Sequence, residues 1–222
     1  MKKKNISLLI YILLFLLIFI ITFIYFDSKT TGSTIKDINN EDGDNFTVYN
    51  GYRIYNKNIA GVQLYAVEVF DSDKHRYLIN FRYLPNQLED IPVEPGIYDK
   101  VLYVDDNKDK YKSKIYISVN PNMTGQEVLS MFTLAQILWP GTQGHEGIYK
   151  IPVQTAYSAD YDGEDFPIKD CNDATPQIGV ILLKHGDIKI YTDDYCVIIQ
   201  GNNLEELRKA NEKLGYILLK VI

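Results

Sequence analysis

The sequence has few of the side chains that carry nucleophilic, acid–base or metal chemistry. It contains three histidines and two cysteines in 222 residues, and His75, His145 and His185 fall in predicted turns or loops. Their separations do not match the ligand spacing of a zinc site. The chain also has no serine-nucleophile elbow, phosphate-binding loop or dinucleotide fingerprint. We therefore predict no catalytic residue, no cofactor and a protein that is not an enzyme.

Basic charge is also scarce outside the N-terminus. The formal net charge is −6, although Lys2, Lys3 and Lys4 precede the first acidic residue, Asp27. From Asp27 onward, 20 basic residues stand against 29 acidic ones, a net charge of −9. Because nucleic acid and anionic lipid repel such a surface, we expect neither as the main partner.

Charge is missing altogether from one long stretch, residues 6–26. At about 1.5 Å per residue these 21 residues would span roughly 30 Å as a helix, which is the thickness of a bilayer core. The lysines before the stretch and the balanced Asp27 and Lys29 after it keep residues 1–5 in the cytoplasm. We predict a single-pass transmembrane signal anchor, with the C-terminal domain extracytoplasmic.

A cleaved signal peptide is the alternative interpretation of residues 6–26. Such peptides have a shorter apolar core, about 7–15 residues, and end in a small-x-small cleavage site. Here the apolar residues lead directly into Asp27-Ser28-Lys29, without that site. The uncleaved anchor is favoured, and both interpretations place the remaining chain outside the cell.

The rest of the chain divides by composition into a tether and two modules. Residues 27–44 are small and polar without periodicity, which predicts a flexible tether. About 175 residues remain, enough for one or two small domains with a hydrophobic core. We predict a β-rich subdomain ending in a helix at 45–140, and a C-terminal β-hairpin and helix module at 141–222.

Turn chemistry predicts several antiparallel β-hairpins. Asn50-Gly51 joins two runs of β-forming residues and is typical of a type I′ turn, in which both central residues have positive φ. Residues 61–70 and 76–84 form a second predicted strand pair, and residues 97–104 and 112–119 a third. In the C-terminal module we predict three successive strands at 178–184, 188–191 and 195–200.

Capping residues predict two helices. Thr124 and Glu127 form a capping box before an apolar run that ends at Leu138, and Asn203 precedes a second amphipathic run. The 124–138 helix either belongs to the core or docks onto a partner. The fold class is α+β: an N-terminal transmembrane helix, followed by an extracytoplasmic domain of antiparallel β-hairpins with two packed α-helices.

The two cysteines, Cys171 and Cys196, both lie in the predicted exterior part, which is usually oxidising. We predict a disulfide between them, with two separate buried thiols as the alternative. Tyrosine is abundant, at 18 residues, which indicates either strand-forming residues of a small sheet or a tyrosine-rich recognition face.

Two further kinds of site are suggested by local sequence. Four acidic residues share a flexible loop and form a candidate calcium site, with a solvated acidic loop as the alternative; they are Asp160, Asp162, Glu164 and Asp165. No other metal site is predicted. Asn45 and Asn122 begin Asn-x-Thr sequons and are candidate glycosylation sites.

The C-terminal part, about 50 residues, resembles uncharacterised small single-pass membrane proteins of archaea. The residues that carry the resemblance are 171–175, 179–183 and 195–201, followed by the final helix. The resemblance implies no known activity. Together with the anchor and tether, it suggests a cell-surface protein with a non-catalytic binding or assembly role toward other surface or membrane proteins. An anchored extracytoplasmic hydrolase and an accessory subunit of a membrane complex are the alternatives.

Overall fold

The computed structural model describes residues 36–39, 45–105, 108, 110–139, 141, 147–160 and 166–222. The predicted cytoplasmic end, the transmembrane segment 6–26 and most of the tether lie outside these residues. Within the described part of the chain, no helix is both long and apolar enough to cross a bilayer. The described residues all belong to a single unit, Lys36–Ile222.

The first sheet is an antiparallel meander of five strands in the order β1-β2-β3-β4-β5. Its strands are β1 (Lys36–Asn39), β2 (Asn45–Tyr49), β3 (Tyr52–Ile59), β4 (Val62–Phe70) and β5 (Arg76–Phe81). Two of the predicted hairpins, β2–β3 and β4–β5, are confirmed. Residues 36–39 were predicted as part of the tether, and that prediction is wrong because they pair with β2.

The β2–β3 turn shows why local sequence sufficed for this hairpin. Asn50 has φ of 49° and Gly51 has φ of 86°, the two positive values that a type I′ turn requires. The Asn50 side chain also donates a hydrogen bond to the Val221 carbonyl oxygen at 2.9 Å. The turn is thereby tied to the C-terminus of the chain.

The second sheet has five strands in the order β7-β6-β8-β10-β9. They are β6 (Lys114–Val119), β7 (Val153–Tyr157), β8 (Ile178–His185), β9 (Lys189–Asp193) and β10 (Cys196–Gly201). Strands β7, β6, β8 and β10 are mutually parallel, and only β9 runs antiparallel at the edge. The prediction of antiparallel hairpins is therefore wrong for β6 and β8, whereas the predicted strands 188–191 and 195–200 do pair antiparallel, as β9 and β10.

The physical reason lies in the burial of the central strands. Val180, Ile181 and Leu183 of β8 are all buried, as are residues 196–199 of β10. A strand that is covered on both faces carries a continuous apolar run, which is characteristic of parallel sheets. β10 also inserts between β8 and β9, so β8 does not pair with β9, the strand that follows it in sequence.

The second sheet also corrects the predicted domain division. β6 lies in the predicted 45–140 subdomain, whereas β7 to β10 lie in the predicted 141–222 module, and all five share one hydrogen-bonded sheet. Residue 140 therefore does not separate two modules.

Four α-helices are present among the described residues: α1 (Ile97–Leu102), α2 (Gly125–Leu129), α3 (Phe132–Leu138) and α4 (Leu204–Leu218). Short 3-10 turns occur at Pro85–Leu88 and Cys171–Asp173. The predicted strand 97–104 is wrong, since α1 occupies most of it. Ile97 and Val101 are four residues apart and both buried, which matches one face of a helix.

The predicted helix 124–138 is divided in two. Thr124 and Glu127 form the expected capping box on α2. The Ser130 carbonyl oxygen, however, accepts a hydrogen bond from the Asn211 side chain of α4. An oxygen used in this way is lost to the intrahelical ladder, and the chain turns at Met131 before α3 begins.

Helix α4 contacts both sheets and contributes several fully buried side chains to the core. Tyr216 stacks on Phe81 of β5 with 3.9 Å between the ring centroids, and Leu207, Ala210 and Leu214 are fully buried. Beside β10, a disulfide joins Cys171 to Cys196, as predicted. Cys196 belongs to a small apolar cluster with Val180 and Ile198.

Candidate functional site

Four tyrosine rings lie in contact beside the end of the first sheet at which β4 stops. Tyr98 comes from α1, Tyr103 and Tyr111 flank the loop after α1, and Tyr149 precedes β7. Successive ring centroids are 6.1 Å (Tyr98–Tyr103), 5.1 Å (Tyr103–Tyr111) and 5.8 Å (Tyr111–Tyr149) apart. We call these four residues the tyrosine cluster.

Three rings of the tyrosine cluster, Tyr98, Tyr111 and Tyr149, form one wall of an open cleft of about 430 Å³, the tyrosine cleft. The opposite wall comes from the first sheet and its β4–β5 turn. Phe70 is 58% exposed and Tyr111 is 42% exposed, so large aromatic surface is presented to solvent. The cleft is lined by Tyr52, Val69, Phe70, Asp71, Ser72, Asp73, Tyr98, Tyr111, Ile148, Tyr149, Lys150, Leu219 and Lys220.

The phenol groups of the cluster are bound to one another and to the backbone. The Tyr149 hydroxyl donates to the Leu218 carbonyl oxygen and lies 3.4 Å from the Tyr98 hydroxyl. Burial raises the pKa of both Tyr149 and Tyr103, and hydrogen bonding to Tyr98 adds to the effect. These phenols therefore stay protonated, and the hydrogen of the Tyr149 hydroxyl is used by the Leu218 carbonyl oxygen.

Asp71 organises the polar side of the cleft. One carboxylate oxygen accepts the backbone N–H groups of Asp73 and His75, at 2.9 and 2.8 Å. The other oxygen lies 3.1 Å from both His75 Nδ1 and the Tyr77 hydroxyl, and 3.9 Å from Lys150 Nζ. Burial raises the pKa of Asp71, but the hydrogen bonds from His75, Tyr77 and Asp73 outweigh it and hold the pKa at about 2.

Asp71, Asp73 and His75 also place three potential metal-ligand atoms within 4.8 Å of one another. Two carboxylates and an imidazole suit a divalent transition metal. Each polar atom of the Asp71 carboxylate, however, is already used by the turn itself. A cation would have to displace Lys150 and the His75–Asp71 contact, so the geometry favours a structural turn.

A second open cavity, of about 570 Å³, lies beyond the end of β5. We call it the β5 groove; seven of its twelve lining residues are polar or charged, although Leu129 and Phe132 on its rim are 70% and 60% exposed. On its floor, one oxygen of Glu212 accepts the backbone N–H groups of Arg82 and Tyr83 at 2.9 and 3.0 Å. Burial raises the pKa of Glu212 to about 7, although these two hydrogen bonds partly counter the effect.

A third cavity, of about 580 Å³, is flanked by Lys100, Lys112 and Tyr195. The Lys112 side chain is buried, and its ammonium donates to the carbonyl oxygens of Thr175 and Pro176 at 3.4 and 2.9 Å. Burial, together with the nearby Lys100, lowers the pKa of Lys112 to about 8. Because its donors are used by the backbone, we regard this lysine as structural.

Models of protein families, curated proteins and solved structures were compared with the chain, and none of them matches it.

None of the predicted site residues that the structure describes lines these three cavities. Asn45 and Asn122 are exposed, and so is Asp160, whereas Asp162, Glu164 and Asp165 lie outside the described residues. The distance between His185 Nε2 and Glu127 Oε1 is 3.0 Å. His145 lies outside the described residues.

The sequence did not reveal the residues that line the tyrosine cleft. They come from segments between residues 52 and 220, and no local spacing links them. The high tyrosine content was the one signal available. Glu212 was also missed, because its i,i+4 spacing from Arg208 on an amphipathic run is typical of an ion pair on the outer face of a helix.

Proposed function

We propose that this chain is a membrane-anchored extracytoplasmic protein whose folded unit has a non-catalytic binding role. The uncharged stretch 6–26, the lysines before it and the disulfide-bonded unit after it support this location. The resemblance of the C-terminal residues to small archaeal membrane proteins points in the same direction and remains a prediction.

The observation that carries the binding role is the tyrosine cleft. Tyrosine and phenylalanine offer broad, rigid surface at low conformational cost, and the phenol hydroxyls add polar contacts. A concave surface with aromatic walls and a few fixed polar groups is the usual form of a binding site. Here Asp71 and Lys150 are held in place on one side, and Lys220 lies 4.8 Å over the Tyr98 ring on the other.

Photo-crosslinking in intact cells tests this proposal. A benzophenone amino acid replaces either Tyr111 in the cleft or Phe166, an aromatic residue of matched exposure (42% for both) that does not line the cleft. We expect irradiation to give a discrete adduct from position 111 and none from position 166. Equal adducts from both positions, or none from position 111, would show that the cleft is not a binding site.

An anchored hydrolase is the second candidate, and Glu212 is the observation that favours it. A buried carboxyl with a pKa near 7 in an open groove is suited to general acid–base catalysis. Among the residues that the structure describes, however, Glu212 is the single carboxylate that lines this groove. Isolated cell envelopes incubated with the full chain would release soluble fragments if it is a hydrolase, and Glu212→Gln would abolish the release.

A further inference from the structure

The chain has four arginines, and they differ in what they contact. Arg53 and Arg76 both pair with the carboxylate of Glu68. Arg82 and Arg208 both line the β5 groove. Within the part of the chain that the structure describes, the guanidinium groups of Arg82 and Arg208 have no hydrogen bond and no ion pair. Because a guanidinium group carries five N–H donors in a planar fork, both arginines keep these donors for a ligand.

The two groove arginines lie around one carboxyl group, that of Glu212. Arg208 precedes Glu212 by four residues on α4, so their side chains lie on the same face of the helix. Arg82 follows the end of β5, and its backbone N–H group donates to Glu212 Oε2 at 2.9 Å. Both guanidinium groups are close enough to lower the pKa of Glu212, although burial raises it more. The three side chains therefore form one charged cluster.

Glu212 offsets at most one of the two positive charges. Its Oε2 atom accepts the N–H groups of Arg82 and Tyr83, whereas Oε1 has no hydrogen-bond partner within the described part of the chain. Oε1 is not enclosed, and Glu212 lines the groove, so this oxygen is open toward it. Burial raises the pKa of Glu212 to about 7, so about half of the molecules carry an uncharged carboxyl at neutral pH. The cluster therefore has an excess of positive charge.

The rim of the groove offers a second kind of contact. Leu129 of α2 and Phe132 of α3 are the two most exposed large hydrophobic side chains among the described residues. The groove volume of about 570 Å³ lies within the range of a site for one small molecule, roughly 300–1,000 Å³. A ligand that suits both the arginines and the rim is therefore small, with an anionic group and an apolar body.

We propose that the β5 groove binds a small organic acid. Its carboxylate binds Arg82 and Arg208, since the planar guanidinium fork matches a carboxylate with two parallel hydrogen bonds. Its apolar body packs on Leu129 and Phe132. A protonated Glu212 donates a further hydrogen bond from Oε1 to the bound carboxylate. This site is separate from the tyrosine cleft, because the two share no lining residue.

Binding should be coupled to a proton at Glu212, because a bound carboxylate disfavours a second negative charge beside it. The charged groups that face Glu212 are Arg82 and Arg208, and no other described residue that lines the groove is charged. Tyr216, on the same helix, also interacts with Glu212, but burial raises the pKa of this phenol and keeps it neutral. Affinity for the acid should therefore fall as the pH rises through 7.

Isothermal titration calorimetry of the full chain in a non-ionic detergent tests the site at pH 6. The probes are phenylbutyrate, phenylbutylamine, which has a similar apolar body and the opposite charge, and acetate, which lacks the apolar body. We expect saturable binding of phenylbutyrate, at least about tenfold weaker binding of acetate, and none of the amine. No saturable binding of phenylbutyrate, or equal binding of the amine, overturns the proposal.

Arg82→Gln combined with Arg208→Gln should weaken phenylbutyrate binding at least about tenfold, because the two charged donors are lost. The matched control, Arg53→Gln combined with Arg76→Gln, removes the same charge from the first sheet and should keep the native affinity. An equal loss in both double variants would show that phenylbutyrate responds only to net charge, and an unchanged affinity in the groove variant would exclude the site.

The pH dependence of the native protein provides the last measurement. A pKa of Glu212 that rises by about one unit on binding weakens the affinity about fivefold or more between pH 6 and pH 8.5. We expect Glu212→Gln to abolish this dependence. A dependence that persists in Glu212→Gln, or that is absent from the native protein, overturns the role of Glu212 in the site.

Discussion

Lys112 crosses directly over Gly179. A Cβ atom at position 179 would lie 2.9 Å from Lys112 Cδ and 3.2 Å from a side-chain carbon of Ile115. The lysine cannot easily move aside, because its ammonium is bound to the carbonyl oxygens of Thr175 and Pro176. Gly179 therefore permits a buried lysine to join the start of β6 to the loop before β8.

We expect Gly179→Ala to destabilise the folded unit by about 1–3 kcal/mol, which is the usual cost of overpacking a closely packed site. Urea unfolding measures the change. Gly125→Ala is the matched control, because a Cβ there meets nothing within 4 Å. Since alanine also has the higher helix propensity, the control should leave stability unchanged or raise it by up to about 1 kcal/mol. Equal effects of the two substitutions would contradict the steric argument.

Glu212 should make stability depend on pH near neutrality. Burial is the main cause that raises the pKa of Glu212 from 4.5 to about 7. Between these two pH values the folded state therefore keeps a proton that the unfolded state releases. The stabilisation is full below pH 4.5 and is lost as the pH rises through 7. By linkage, Glu212 alone should lower the free energy of unfolding by about 2.5 kcal/mol between pH 5 and pH 8.

Glu212→Gln isolates this contribution, because the amide oxygen can still accept the N–H groups of Arg82 and Tyr83. We expect the variant to be more stable than the native protein at pH 8 and to lose most of the dependence between pH 5 and 8. Glu205→Gln is the control: Glu205 is exposed on the same helix, pairs with Lys209 at 2.7 Å and has a lowered pKa. A dependence unchanged in Glu212→Gln would disprove the assignment.

The β2–β3 hairpin and the amphipathic character of α4 could be predicted because their signals are local. Asn50-Gly51 specifies its turn through two adjacent residues, and the disulfide followed from having two cysteines in an oxidising compartment. Residues 97–104 could not be assigned reliably, because Ile97, Val101 and Leu102 suit a short strand as well as a helix. The burial of these three side chains against neighbouring elements favours the helix over the strand.

The strand order and the cavities depend on contacts between distant parts of the chain. No residue pattern within β8, β9 or β10 predicts that β10 lies between the other two strands. Glu212 was expected on the outside of α4, but this helix contacts both sheets, and Asn211 and Lys213 are buried beside Glu212. The tyrosine cleft likewise forms only when α1, the residues before β7 and the end of α4 meet the β4–β5 turn.

Asp71 should control resistance to acid. Its pKa is lowered from 3.8 to about 2, so its stabilising effect is present above pH 4 and is lost as the pH falls toward 2. We expect Asp71→Asn to unfold at a higher pH than the native protein in an acid titration followed by tyrosine fluorescence. Asp73→Asn, in the same turn, keeps its own backbone hydrogen bond to position 71 and should leave the midpoint unchanged. If both variants shifted the midpoint of acid unfolding equally, the acid resistance would come from the overall charge of the turn and not from Asp71.

The disulfide should act chiefly on the unfolded chain. Cys171 and Cys196 are 25 residues apart, and closing a loop of that length lowers the entropy of the unfolded state by an amount worth about 3 kcal/mol. We expect Cys171→Ala combined with Cys196→Ala to lose about this much stability in urea unfolding. The loss should appear as a lower urea midpoint and as a steeper dependence of the unfolding free energy on urea, because the unfolded chain without the cross-link exposes more surface.

Cys171→Ala alone should lose a similar amount of stability, since either substitution opens the loop. A much smaller loss in both variants would mean that the loop between the cysteines stays ordered in the unfolded state.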